Sequence, residues 1–337
     1  MPRLAAMPPG YFALVMATGI ISIASYFLGL RKLGLVLLFL NAAQYVVLIA
    51  FTVLRLIRYR PEFVADLVSP SKGITFLTAP AGTFILGSQF VILLDMSSVG
   101  AALWIGGIVL WIVFVSVFFT VVISGKSKPT VPEGISGATL ILVVATQGIC
   151  VLGTLLPAVP GIREWILFVS LAAYGVGAIL YLIFITLILF RWMFFPLDGG
   201  NLTPSYWINM GALAITTLAG SRLTLSADGW PFLREIVPFL KGLTFCLWAM
   251  AAWWIPLLII AGVWRHGIQK VPIRYDPQYW SLVFPLGMFT VATILFERAT
   301  GIGLLHVIPR VTIWFAWVAW TATFVGMLRS FRETTGS

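Results

Sequence analysis

Trp280-Ser281-Leu282-Val283-Phe284-Pro285-Leu286-Gly287-Met288-Phe289 is apolar almost throughout, yet it carries a proline and a glycine. The apolar run around it, 279–296, is long enough to cross the hydrocarbon core of a bilayer, which takes about 20 helical residues. Proline removes a backbone donor and bends a helix. Inside a membrane such a break is tolerated only where the freed backbone faces protein or a water-filled cavity. The stretch therefore reads as a membrane helix on the inside of a bundle.

The rest of the chain has the same character. Of its 337 residues, 60% are hydrophobic and 9% are charged, where a soluble domain carries about 25% charged residues. The sequence reads as one all-α integral membrane domain over 1–337, with no room for a sizeable soluble part. Further apolar runs fall at 11–30, 33–57, 74–94, 99–123, 136–155, 165–190, 206–223, 236–263 and 309–329. With 279–296 they make ten expected transmembrane helices, joined by short connections into five helical hairpins. The first run is read as a retained span, since no clear cleavage site follows it.

The net charge of +10 points to topology rather than to nucleic acid, because basic residues in short loops orient a membrane protein. With the N-terminus inside, about 13 of the 21 Lys and Arg residues fall on the inner side. Both termini are expected in the cytoplasm, in a multi-pass protein of the cell (inner) membrane. Cys150 and Cys246 lie in apolar runs and read as reduced packing residues.

The odd-numbered runs hold about 20 Ser, Thr, Asn and Gln residues and the even-numbered ones about 11. Polar groups avoid lipid, so the odd helices are expected inside and the even ones outside. Each odd helix also has a small residue or threonine followed by threonine near its middle: Thr18, Thr83, Thr146, Thr217 and Thr293. Such a repeat suits a quasi-fivefold bundle around a central pore, with these threonines lining it. Pro285 and Gly287 are the expected helix kink.

Catalytic chemistry is not nominated. His266 and His306 both fall in connections, and no metal-ligand cluster, nucleophile–base pair or phosphate loop is present; neither enzyme activity, cofactor nor metal is expected. Charge within the spans is sparse. Arg222 and Glu297 stand at the ends of the seventh and ninth helices, on the expected outer side, as outer-mouth charges. Glu297 reads either as a proton-coupling group or as the partner of Arg222, Lys241 or Arg298. A path lined by hydroxyls and nearly free of fixed charge suits passive permeation, and hydroxyl donors suit anions.

Four segments carry a family resemblance that covers essentially the whole chain. They are Pro9-Gly10-Tyr11-Phe12 with Met16-Ala17-Thr18-Gly19-Ile20; Ile135-Ser136-Gly137-Ala138-Thr139-Leu140 with Val143-Val144-Ala145-Thr146-Gln147; Leu202-Thr203-Pro204-Ser205-Tyr206-Trp207 with Met210-Gly211; and Phe284-Pro285-Leu286-Gly287-Met288 with Val291-Ala292-Thr293. In order and on these helices they resemble the tellurite-resistance/dicarboxylate transporter family, which includes bacterial TehA proteins and plant slow-type anion channels. The resemblance implies five hairpins around a pore and a homotrimer with one pore per protomer. It also implies an aromatic gate on the ninth helix, which the Phe-Pro pair puts on Phe284. The usual Asn-Gly of the fifth helix is Ser136-Gly137 here. The expected function is an anion channel or channel-like uniporter for small monovalent anions. Its rival is a proton-coupled carrier or exporter of C4-dicarboxylates, sulfite or tellurite-type oxyanions. The expected partners are those anions and membrane lipid.

Overall fold

A computed structural model describes residues 2–126 and 128–333. It is all-helical among those residues. Ten long helices follow one another: α1 (Ala13–Phe27), α2 (Arg31–Arg58), α3 (Thr78–Leu94), α4 (Ser97–Ser124), α5 (Ile141–Leu155), α6 (Arg163–Phe194), α7 (Ile208–Leu225), α8 (Val237–Val263), α9 (Trp280–Thr300) and α10 (Val307–Glu333). Nine of them, counted with their flanking turns, are long and apolar enough to span a membrane among the described residues. The exception is α7, which carries Asn209, Thr216, Thr217, Ser221 and Arg222. Its length is 18 residues and nearly all of them are buried. A helix hidden from lipid on every side has no need of an apolar surface, which is why hydropathy alone passes it over.

Burial separates two classes. In α1, α3, α5 and α9 the most apolar windows are 78% to 89% buried, and in α2, α4, α6, α8 and α10 they are 11% to 33% buried. The odd helices contact one another in a cycle, α1 on α3, α3 on α5, α5 on α7, α7 on α9, and α9 back on α1. Every even helix covers the seam between its two odd neighbours; α2 lies on α1 and α3, and α10 on α9 and α1. The polar asymmetry of the sequence has a simple cause here: the central helices see only protein.

Each central helix is entered through a turn of 3-10 helix, at Pro9–Phe12, Gly73–Leu77, Gly137–Leu140, Pro204–Trp207 and Pro277–Tyr279. A proline or glycine opens all five. The tight turns lie side by side, and a Cβ on Gly137 would collide with the backbone of Ser205 and Tyr206.

The glycine and the proline of α9 serve close packing. The helix continues unbroken through Pro285. A Cβ on Gly287 would sit 2.8 Å from Ile20 of α1. Having no N–H, Pro285 leaves the carbonyl of Ser281 without its usual helical donor.

Candidate functional site

Two cavities are each lined by all five central helices or the turns that enter them. The first, about 450 Å³, lies at the helix N-termini, where Gly10, Thr78, Ile141, Ser205 and Ser281 contribute one wall apiece. The second, about 30 Å³, lies toward the C-termini and is lined by Ile20, Ser88, Val151, Arg222, Val291 and Leu295, among others. Since the same ends of all five helices meet at the first cavity, the central helices are parallel to one another. Five positive helix ends therefore converge on it, a field that favours anions.

Helical periodicity picks out the residues in register between the two cavities. On α9, Ser281 lines the first cavity, and Val291 and Leu295 line the second. At about 100° per residue, Phe284 and Met288 fall on the same stripe between them. Both are buried. The matching stripes of the other helices run through Ala13 and Met16, Ala81, Val144, and Ala212 and Ile215, again all buried. Among the described residues Phe284 is the one aromatic on these stripes, whose other members are small or aliphatic apart from Met16 and Met288. Phe289 points elsewhere, and stacks on Trp248 of α8 with ring centroids 6.2 Å apart.

The five threonines expected on a lining are buried, but four of their hydroxyls engage peripheral helices. Trp320 Nε1 donates to Thr18 at 3.1 Å, Trp111 Nε1 to Thr146 at 3.0 Å and Trp248 Nε1 to Thr293 at 3.0 Å. Thr83 shares a hydrogen bond of 2.9 Å with the Tyr45 hydroxyl. Thr83, Thr146 and Thr293 also donate to the carbonyl four residues back on their own helix. The repeat in the sequence is real, and its threonines turn outward as rivets between the two classes of helix. Thr217 is the exception, with a buried hydroxyl that meets no hydrogen-bond partner among the described residues. The aromatic donors were the missed half of the pattern. Four peripheral helices each carry one, and its hydroxyl or indole N–H can be satisfied only from the protein side.

The two charges part company. Arg222 reaches the second cavity. Its guanidinium donates to the Thr154 carbonyl at 2.9 Å, at the C-terminal end of α5, where a cation offsets the helix dipole. Arg163 also donates there, to Leu156 O at 2.8 Å. Among the described residues no carboxylate pairs with Arg222. Glu297 does not line the central cavities. It lies about 160° round the helix from the Leu295 face and pairs with His306 at 3.2 Å. The partners expected for it, Arg222, Lys241 and Arg298, are not the ones it takes. Arg298 instead lies over the ring of Phe27.

Charges at the first cavity are mostly committed. Asp66 accepts from Arg55 at 2.5 Å and from Lys72 at 2.9 Å. Arg191 is buried and donates to the Ile135 carbonyl and, at 2.7 Å, to the Tyr206 hydroxyl. Burial raises the proton affinity of Asp66, but the hydrogen bonds from Lys72 and Arg55 outweigh it and hold the carboxyl below its ordinary range.

A multi-pass helical membrane protein whose central helices share two cavities in line has the anatomy of a transporter or channel. The sequence over residues 6–328 matches the family model described as voltage-dependent anion channel. The chain belongs to that family, the tellurite-resistance/dicarboxylate transporter family. Two uncharacterised transporters of Methanocaldococcus jannaschii are 23% identical to it, each over 94% of this chain and over 92% and 91% of their own lengths. An uncharacterised membrane protein of Mycobacterium tuberculosis is 38% identical over 157 residues, which is 47% of this chain and 79% of that protein.

Proposed function

We propose that the five central helices form a quasi-fivefold ring of hairpin partners around a path that conducts small monovalent anions down their gradient, closed at its middle by Phe284. The observation that carries this reading is the position of that ring, alone among aromatics on the stripes between the two shared cavities. An apolar ring at a constriction blocks an ion by filling the lumen and by offering no ligand in place of water. Pro285 bends α9 at that level. The converging helix ends at one mouth and Arg222 at the other supply a field of the sign anions need. All ten helices cross the membrane, both termini are cytoplasmic, and three copies assemble with one path each.

Carriage of dicarboxylates or other oxyanions coupled to protons through Glu297 fits less well. That carboxylate faces His306 in a separate cleft, off the stripes that link the cavities.

Paired current recordings at matched surface expression test the gate. Phe284→Ala raises anion current strongly, Phe284→Leu falls between it and the parent, and Phe289→Ala leaves the path closed. A silent Phe284→Ala beside a conducting Phe289→Ala places the gate on the wrong ring.

A further inference from the structure

A third feature belongs neither to the central path nor to its mouths. On the outer surface of α10 runs an open groove of about 860 Å³. Its floor includes Trp314, Val318 and Val325, and its end is framed by Arg274 and Arg329. Arg274 belongs to the connection before α9, which folds against α10 so that the Tyr275 side chain rests 3.5 Å from where a Cβ of Gly326 would be. Both arginines therefore stand at the end of the molecule where the central helices begin. Both are exposed, and among the described residues neither has an ion-pair partner.

Length and charge together define the occupant. From Trp314 to Arg329 the helix rises about 22 Å, somewhat more than one leaflet's share, about 15 Å, of the hydrocarbon core. The apolar part is lined by exposed aromatic and branched side chains, with Trp314 63% and Val318 69% exposed. The charged part is confined to one end. A ligand that fits both has a chain one leaflet deep and an anionic head at the membrane surface. Two guanidinium groups can hold the oxygens of a phosphate through charge-assisted, paired hydrogen bonds, while their stems lie along the apolar wall.

We propose that this groove is a binding site for an anionic phospholipid, its phosphate held between Arg274 and Arg329 and an acyl chain laid along α10 toward Trp314. The site is tied to the central bundle. The Tyr275 hydroxyl hydrogen-bonds the Tyr11 hydroxyl at 2.9 Å and accepts from Trp280 Nε1 at 3.2 Å. Tyr11 lies in the turn that enters the first central helix, and Trp280 opens the last, one turn from Phe284.

The full chain, reconstituted in phosphatidylcholine vesicles containing one part in ten of phosphatidylglycerol, is re-extracted gently, and the lipid that stays bound is counted by native mass spectrometry. The parent retains phosphatidylglycerol in preference to phosphatidylcholine. At about 1 kcal/mol per arginine, Arg274→Gln lowers that preference about fivefold and the Arg274→Gln/Arg329→Gln pair about thirtyfold. Val318→Trp, which fills the groove and keeps both charges, lowers retention of the lipid as well. The matched control is Arg58→Gln/Arg60→Gln, which removes two exposed arginines at the same end but outside the groove, and it retains lipid like the parent. Equal loss in the control and the groove variants overturns the site in favour of diffuse surface charge. Equal retention of phosphatidylcholine overturns it in favour of apolar packing alone. Efficient disulfide crosslinking between copies carrying Val318→Cys overturns it in favour of a subunit contact. All surfaces changed here are exposed, so thermal unfolding stays at the parental temperature.

Discussion

Gly211 of α7 and Pro285 of α9 touch so closely that a Cβ on the glycine would lie 2.7 Å from the proline ring. The proline gives α9 a rigid ridge, and the glycine gives α7 the notch that receives it. The turn beside this contact carries Phe284. Gly211→Ala pushes α7 and α9 apart and lowers stability by about 1–3 kcal/mol, the usual result of overpacking. Thermal unfolding in detergent measures it, and Gly242→Ala, at an open position on α8, is the unaffected control.

The riveted threonines make a sharp pair of expectations. Trp248→Phe removes the indole donor to Thr293 and costs about 1 kcal/mol, the net value of one hydrogen bond. Thr293→Val costs a similar amount and leaves ion selectivity unchanged in a conducting Phe284→Ala background. A shift in reversal potential with Thr293→Val shows that the hydroxyl faces the ions after all.

Arg222 and Glu297 are separable in the same background. Arg222→Gln lowers anion current about tenfold, because a fixed positive charge concentrates anions at a low-dielectric mouth. Glu297→Gln leaves the current as it was, since that carboxylate faces another cleft. Dependence of flux on a pH gradient, abolished by Glu297→Gln, reverses this assignment.

Stability in acid turns on Asp66. Its carboxyl is held below the ordinary range in the folded protein, so the unfolded chain binds its proton at higher pH. The contribution is full above about pH 4 and is lost as pH falls through the lower folded value. Asp66→Asn removes that part of the acid sensitivity and leaves Arg55, 2% exposed, without its carboxylate. Unfolding followed from pH 6 to pH 3 in the two proteins distinguishes them.

Assembly and orientation are checked together. A C-terminal reporter is active on the cytoplasmic side, and mild crosslinking traps trimers. The small and aromatic residues of α4 and α6 suggest close approach between copies, but most of them face inward. Trp104 donates to Ile149 O at 2.9 Å, Trp111 binds Thr146, Gly107 makes room for Phe84 and Gly177 for Gln147. Gly106 and Gly175, with nothing near them, are the positions at which cysteine pairs report a neighbour.

The sequence made the helices easy to find, because an apolar run of membrane length has few other uses. The expected run at 206–223 and the helix Ile208–Leu225 agree although this is the long helix not apolar enough to count as a span; its polar residues and short length already mark it as hidden. The threonine repeat was legible as a repeat, but its direction was not. Spacing along one helix says which residues share a face, and only the opposing Trp111, Trp248, Trp320 and Tyr45 say which way that face looks. Glu297 is a similar case. A carboxylate at a helix end has several cations within reach in sequence, and the selection of His306 depends on how the turn Gly303–His306 folds back.

The shared direction of the central helices gives the molecule a polarity that no single residue carries. Each helix behaves as though it bore about half a positive charge at its start and half a negative charge at its end. Five in parallel make one mouth attractive to an anion and the other repellent, with Arg222 a local correction at the second. An opened path is then a rectifier. Anions entering where the helices begin carry more current than anions entering from the opposite side, and the imbalance deepens when Arg222 is neutralised.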